Sequence, residues 1–166
     1  MSNHGKDNDL SLTHIDEQGA VNMVDVGNKP ITDREAIACG YVVVQPKTIE
    51  LIQQGLMKKG DVITIAQLAG IMGAKQTSNL IPLCHPLPLN KVDVQIEIHP
   101  ADNRLLVTGT ASTSSKTGVE MEALTAVSIA CLTLYDMCKA VDHKIQIDQV
   151  RLLRKTGGQS GDLFLE

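Results

Sequence analysis

Two periodic patterns of apolar and polar residues divide the chain into predicted strands and helices. Alternation of apolar and polar positions, or a short continuous apolar run, is typical of β-strands; such segments are residues 36–44, 91–99, 104–115 and 144–155. Helical patterns occupy residues 47–54, 62–77 and 118–141. The order strand, helix, helix, strand, strand, helix, strand predicts an α+β fold, a ferredoxin-like antiparallel sheet with helices packed on one face.

Capping and turn residues set the ends of these elements. Pro46 at the first turn and Gly55 just past the end bracket the first helix. Asp61 is placed to cap the second helix, and residues 102–103 predict a tight turn that joins two strands as a hairpin. Small residues in the second helix predict close packing against another element; they are Ala66, Ala69, Gly70, Gly73 and Ala74.

The N-terminal part of the chain has little periodicity. Residues 1–10 are polar and are predicted to be disordered. Residues 15–34, interrupted by Gly19, Gly27 and Pro30, are predicted to form an ordered or semi-ordered arm. The remainder, residues 11–166, is long enough for one hydrophobic core and is predicted to be a single domain.

The long helix at residues 118–141 carries a narrow polar stripe. At about 100° per residue, the polar residues of this helix fall within an arc of roughly 140°; they are Glu122, Thr125, Ser128, Thr133, Asp136 and Lys139. Asp136 and Lys139 are three residues apart and are expected to interact. Either the stripe faces solvent and the pair is an ordinary surface ion pair, or it lines a cavity in which the pair exchanges protons with a ligand.

Composition excludes several classes of protein. The net charge of −4 and the aromatic content of 2% weigh against nucleic-acid binding. No apolar stretch approaches the ~20 residues of a membrane span, and the N-terminus does not look like a signal peptide. The four cysteines form no CxxC pair, which favours buried reduced thiols in a cytoplasmic protein and predicts no metal site.

Two further segments contain candidate chemistry. The loop at residues 83–86, LCHP, presents Cys84 and His85 on a backbone stiffened by prolines. Such a loop suits ligand contact or proton transfer. A histidine with a purely structural role in a packed turn would give the same sequence pattern. At the start of the long helix, Thr117 and Glu120 are spaced as a capping box. Glu122 is the first residue of the polar stripe, and helix capping does not explain a glutamate at this position.

Three lysines adjoin glycine-containing segments, an arrangement that can hold phosphate and that also occurs in surface turns; they are Lys59, Lys116 and Lys155. The chain has neither a GxxxxGK[ST] nor a GxGxxG motif. The residues therefore leave two classes open. One is an enzyme that acts by acid–base catalysis on an anionic small molecule, and the other is a regulatory or assembly domain of ferredoxin-like fold.

Three long segments resemble a known enzyme family and therefore favour the first of these classes. They are KGDVITIAQLAGIMGAKQTSNLIPLCHPLPL, KTGVEMEALTAVSIACLTLYDMCKAV and VRLLRKTGGQSGD, and LTHIDEQGAVNMVDVGNKPITDREA precedes them. In this order they resemble the cyclic pyranopterin monophosphate synthase family, the molybdenum cofactor biosynthesis protein C family, from about residue 10 to the C-terminus. The resemblance implies a lyase that rearranges a cyclised dihydro-GTP, a small-molecule triphosphate, to cyclic pyranopterin monophosphate and releases pyrophosphate.

The resemblance also implies site residues and partners. It assigns catalysis to Asp136 and Lys139, with Lys59 and Lys155 interpreted as phosphate ligands. The positions matching the family's substrate pocket are Leu83, Cys84, His85, Met121, Glu122, Lys59, Glu120 and Lys155. It implies a single catalytic domain at residues 11–166, a homohexamer built as a trimer of dimers with pockets at subunit interfaces, and a radical-SAM GTP cyclase that supplies the substrate. It implies no redox cofactor and leaves a role of Mg²⁺ on the phosphates open.

The chain departs from the family pattern at two positions. Gln76 stands where the family usually has arginine, and Asp33 is more acidic than expected. Neither lies in the LCHP, GVEMEA or YDMCKA blocks of these segments, so these departures affect only the details of anion binding.

Overall fold

A five-stranded antiparallel sheet forms the framework of the protein, whose computed structural model describes residues 20–158 and 161–165. The strands are β1 (Thr32–Val43), β2 (Lys91–His99), β3 (Arg104–Ser115), β4 (Gln146–Thr156) and β5 (Leu163–Phe164). Their order across the sheet is β2-β3-β1-β4-β5, and every neighbouring pair is antiparallel. The predicted α+β, ferredoxin-like fold is confirmed. The predicted disorder of residues 1–10 concerns a segment outside the described residues.

The helices are α1 (Pro46–Gln53), α2 (Val62–Ala74), α3 (Thr77–Leu80) and α4 (Glu120–Cys138). Pro46 occupies the first turn of α1, and Gly55 follows its end with a φ of +66°. Asp61 caps α2, because its carboxylate accepts hydrogen bonds from the backbone N–H groups of Ile63 and Thr64, each at 3.1 Å. These predicted boundaries are confirmed.

The structure departs from the predicted elements at four places. The β1 strand starts at Thr32 rather than at residue 36, because residues 32–35 pair with the end of β3. The segment 77–80 forms α3, separate from α2. The α4 helix is shorter than predicted at both ends. The two-residue β5, which pairs with the end of β4, has no repeating pattern from which it could be predicted.

Close packing fixes α4 against both α2 and the sheet. A Cβ atom added at Gly70 of α2 would lie 2.8 Å from the backbone oxygen of Ala126, and one at Gly73 would lie 2.7 Å from a side-chain carbon of Ile129. On the sheet side, a Cβ at Gly109 would lie 2.9 Å from the side chain of Val127. Only glycine permits such approaches, so the predicted close packing of α2 is confirmed and the position of α4 is tightly fixed.

By length and composition, α4 is the one helix among the described residues that could cross a membrane. However, it packs against α2, β1 and β3, and its Ala123, Ala126 and Ala130 have no exposed surface. Its apolar composition is that of a core helix.

Substitution of Gly70 by alanine should destabilise the fold. Helix propensity favours the change by up to about 1 kcal/mol, but the new methyl group would meet backbone that cannot move cheaply. We expect a net loss of about 1–3 kcal/mol in the free energy of unfolding, measured by urea denaturation. The control Gln53→Ala, at an exposed site of α1, should change it by less than about 0.5 kcal/mol. Unchanged stability of Gly70→Ala would contradict the close contact.

Candidate active site

A cavity of about 560 Å³ opens at the N-terminal end of α4 and is called the imidazole pocket here. Leu83, Cys84 and His85 line one side of it, so the LCHP loop does face a cavity. Residues 120–122, at the start of α4, line another side, and residues of the arm complete the wall. Six of the eight predicted substrate-binding residues line this one pocket; they are Leu83, Cys84, His85, Glu120, Met121 and Glu122.

Glu122 is the buried carboxyl group of the imidazole pocket, with 4% of its surface exposed. Burial raises its pKa, and the nearby charge of Glu120 raises it further, against a hydrogen bond from its own backbone N–H. A carboxyl whose pKa is raised holds its proton to higher pH and can donate it to a ligand. Burial and the charge of Glu122 also raise the pKa of the Cys84 thiol. Cys84 is thus not activated as a nucleophile.

Glu120 has a different partner from the one predicted. Val119, not Thr117, is the N-cap residue of α4, and no side chain caps the helix. The predicted capping box is therefore wrong. The Glu120 carboxylate instead accepts a hydrogen bond from the Lys155 ammonium of β4 at 2.8 Å. This ion pair ties the start of α4 to the sheet at the edge of the pocket.

At the other end of α4, Asp136 lies between two lysines. Its carboxylate is 2.8 Å from the Lys139 ammonium and 2.7 Å from that of Lys59. Lys59 also donates to the backbone oxygen of Asp136 at 2.9 Å. The predicted contact between Asp136 and Lys139 is confirmed, and Lys59, predicted to bind phosphate, is held by the same carboxylate. These three residues are called the Asp–Lys triad.

The two lysines stabilise the ionised form of Asp136. Hydrogen bonds from Lys139 first and Lys59 second lower the Asp136 pKa to about 2. In return, the Asp136 carboxylate raises the pKa of Lys139. The triad therefore holds an ionised carboxylate, which can accept a proton only from a group placed directly against it.

The polar stripe of α4 does not line one continuous cavity. Glu122 and Thr125 are buried, whereas the hydroxyl groups of Ser128 and Thr133 donate to helix carbonyl oxygens four residues earlier. At the far end, the side chains of Asp136 and Lys139 are 54% and 57% exposed. The pair is thus not desolvated within one chain, because neighbouring elements cover only one side of this end of α4.

The two groups of predicted site residues lie far apart in one chain. Fourteen residues of helix separate Glu122 from Asp136, which corresponds to about 21 Å along the axis. Proton transfer requires approach to about 3 Å, directly or through one water molecule. A single chain therefore does not bring Asp136 against Glu122 or His85.

The arm contributes pocket residues that the sequence pattern did not reveal. Val24, Val26 and Lys29 line the imidazole pocket. The arm is held there by the Lys116 ammonium, which donates to the backbone oxygen of Gly27 at 2.5 Å. No spacing distinguishes Lys29 from the other lysines of the chain, and its role depends on the path of the arm. Within residues 20–158 and 161–165, no three histidine, cysteine, aspartate or glutamate side chains cluster as metal ligands would.

Comparisons with known proteins agree on one family. The model of the MoaC family matches residues 23–158. A cyclic pyranopterin monophosphate synthase of Chloroflexus aurantiacus is 58% identical over 151 residues, which cover 91% of this chain and 93% of that protein. The proteins of the same name from Nostoc sp. and Parvibaculum lavamentivorans are 57% and 55% identical, over 95% and 91% of this chain and 94% of each relative.

Removal of Lys139 should raise the Asp136 pKa from about 2 toward the ordinary carboxyl value. Because folding lowers this pKa, the triad stabilises the fold at pH values above the ordinary carboxyl pKa. This contribution is lost as the pH falls toward 2. We expect the carbon-13 titration midpoint of the Asp136 carboxyl to rise in Lys139→Met. Lys47→Met, which breaks the exposed pair with Glu50, should leave it unchanged. Equal midpoints in wild type and Lys139→Met would contradict the contact.

Proposed function

The chain belongs to the MoaC family, and we propose that its pocket and triad together carry out the cyclic pyranopterin monophosphate synthase reaction. In this reaction a cyclised dihydro-GTP is rearranged to cyclic pyranopterin monophosphate, and pyrophosphate is released. The enzyme is a phosphorus–oxygen lyase of molybdenum cofactor biosynthesis. The relatives that match almost the whole chain have this activity as their name.

The observation that carries this proposal is that the pKa values of two carboxyl groups are shifted in opposite directions. Burial raises the pKa of Glu122, whereas hydrogen bonds from Lys139 and Lys59 lower the pKa of Asp136 to about 2. Carboxyl groups whose pKa values are driven apart can serve as acid and base in one reaction. Ring opening and closure require protons to be delivered and removed in turn, and such a pair provides for both. The proposed catalytic residues are Asp136 and Lys139, with Glu122 as a proton donor and His85 as a substrate contact.

A second copy of the chain would bring the two groups together. Large apolar side chains are exposed on α4 and α2: Leu132, one turn before Asp136, is 56% exposed, and Leu68 and Met72 of α2 are 58% and 59% exposed. Large apolar side chains exposed on neighbouring helices are typical of an interface between subunits. They support a site in which one copy contributes the imidazole pocket and another contributes the Asp–Lys triad. Covering these side chains would also remove water from Asp136 and Lys139, as proton transfer to a substrate requires.

The remaining assignments follow from the family. We propose a homohexamer, a trimer of dimers, in which each site lies between subunits. A radical-SAM GTP cyclase would supply the substrate, and neither nucleic acid nor a membrane is a proposed partner. The step needs no redox cofactor, and any Mg²⁺ would arrive on the substrate phosphates. The four free cysteines support a cytoplasmic location.

Asp136→Asn should fold normally yet lose the reaction. We expect the purified wild-type protein alone to convert the cyclised dihydro-GTP to cyclic pyranopterin monophosphate with release of pyrophosphate. The rate should fall at least about 100-fold in Asp136→Asn, because acid–base catalysis typically contributes that much. Product is measured by chromatography and pyrophosphate by a coupled assay.

The matched control for this experiment is Glu50→Gln. It neutralises a carboxylate in another exposed i,i+3 helical ion pair, 2.8 Å from Lys47, and it should retain wild-type turnover. Wild-type turnover by Asp136→Asn would remove the catalytic assignment. No product from folded wild-type protein would favour a regulatory or assembly domain over an enzyme.

A further inference from the structure

Asp142, in the connection between α4 and β4, is a buried carboxyl group that takes no part in the site described so far. Only 3% of its surface is exposed, and among the described residues Glu122 is the other buried carboxyl group. A carboxylate is rarely buried unless it is paired or hydrogen-bonded. The partners of Asp142 therefore indicate what it does in the fold.

Three neutral donors satisfy the Asp142 carboxylate. Its Oδ2 atom accepts hydrogen bonds from the backbone N–H of Gln45 at 2.7 Å and from the hydroxyl of Thr48 at 3.0 Å. Its Oδ1 atom accepts one from the backbone N–H of Lys144 at 2.9 Å. Burial raises the Asp142 pKa, but these hydrogen bonds more than offset that effect, so the pKa lies below its ordinary value. Asp142 is thus an ionised carboxylate inside the fold.

The Asp142 carboxylate caps the start of α1 from a distant part of the chain. Gln45 is the N-cap residue of α1, and its own side chain makes no capping hydrogen bond. The first N–H groups of a helix need acceptors, and the positive end of the helix dipole favours a negative charge. Asp142 provides both from a position 97 residues further along the chain. A local cap would stabilise α1 alone, whereas this one joins α1 to the segment that follows α4.

The two segments joined by Asp142 are the ones that form the Asp–Lys triad. Lys139 is the C-cap residue of α4, and one turn later the backbone N–H of Asp142 donates to the backbone oxygen of Cys138 at 3.1 Å. On the other side, α1 leads into the connection that carries Lys59, whose ammonium lies 2.7 Å from the Asp136 carboxylate. Asp142 therefore holds the end of α4 and the segment that leads to Lys59 in one arrangement.

The Cys138 thiol shows that these groups lie close together. Burial raises its pKa to about 11; the charge of Asp142 raises this pKa further, and the charge of Lys59 lowers it. Both charges thus act on one thiol, which is 1% exposed. The Lys59 side chain is 41% exposed, so the position of its ammonium depends on the backbone that carries it more than on side chains packed around it.

We propose that Asp142 is a positioning residue for the Asp–Lys triad: by joining the start of α1 to the end of α4, its buried carboxylate holds Lys59 against Asp136. This inference rests on the proposed function, which gives the triad its catalytic role. Without the carboxylate, the α1–α2 connection should move away from α4 and weaken the contact of Lys59 with Asp136. The pair of Asp136 with Lys139 should remain, because both residues lie at the end of one helix.

The test measures the carbon-13 titration midpoint of the Asp136 carboxyl, without substrate, and kcat for the cyclised dihydro-GTP. Asp142→Asn keeps the size of the side chain but turns one acceptor oxygen into a donor. We expect the midpoint to rise by about 0.5 pH unit or more, because a nearby cation lowers a carboxyl pKa. We expect kcat to fall about 10-fold, because small displacements of catalytic groups are costly.

Thr48→Val supplies a milder variant, which decides the matter if Asp142→Asn does not fold. It removes only the hydroxyl hydrogen bond to Asp142 and should change both values in the same direction by a smaller amount. The matched control is Thr113→Val. Thr113 is another buried threonine, whose hydroxyl donates to the backbone oxygen of Pro88 at 2.6 Å, and its replacement should leave the Asp136 midpoint unchanged.

The outcomes separate this inference from the proposed function. If the variants at Asp142 and Thr48 lose stability while the Asp136 midpoint stays at the wild-type value, Asp142 is only a cap of α1 and the positioning role is overturned. Wild-type midpoint and kcat in both variants would overturn it as well. Absence of turnover in wild type would overturn the proposed function. The midpoint, measured without substrate, would then still decide whether Asp142 positions Lys59.

Discussion

The close contact of α4 with α2 and with the sheet is the constraint on which this protein depends. At Gly70, Gly73 and Gly109 a single added carbon would lie within 3 Å of α4 atoms, so the helix has little freedom to shift or tilt. Its two ends are therefore fixed on opposite sides of the domain. One end faces the imidazole pocket, and the other carries an exposed carboxylate between two lysines.

This geometry turns one helix into two half-sites. Burial raises the pKa of Glu122 at one end of α4, and two lysines lower the pKa of Asp136 at the other end, about 21 Å away. In the function proposed above, a second copy of the chain completes each half-site. The exposed side chain of Leu132, one turn before Asp136 on α4, supports such a contact between copies.

Much of the fold could be predicted from local pattern, because strand alternation, the Asp61 cap and the Pro46 and Gly55 boundaries are encoded by adjacent residues. The contact between Asp136 and Lys139 follows from helix spacing alone. Other features depend on distant parts of the chain. Glu120 binds Lys155 of β4 instead of completing a capping box. Lys29 lines the imidazole pocket because of the path of the arm, to which Lys116 donates a hydrogen bond at Gly27. The exposure of the triad likewise depends on which elements cover α4, which helical spacing does not reveal.

Subunit complementation tests the central claim most directly. Glu122→Gln and Asp136→Asn, each expected to be inactive, are co-expressed with different tags, and hybrid oligomers are isolated and assayed with the cyclised dihydro-GTP. If every site combines the imidazole pocket of one copy with the triad of another, random hybrids should recover about a quarter of wild-type activity. Hybrids no more active than the parent variants would show that one chain supplies the whole site, and would contradict the account.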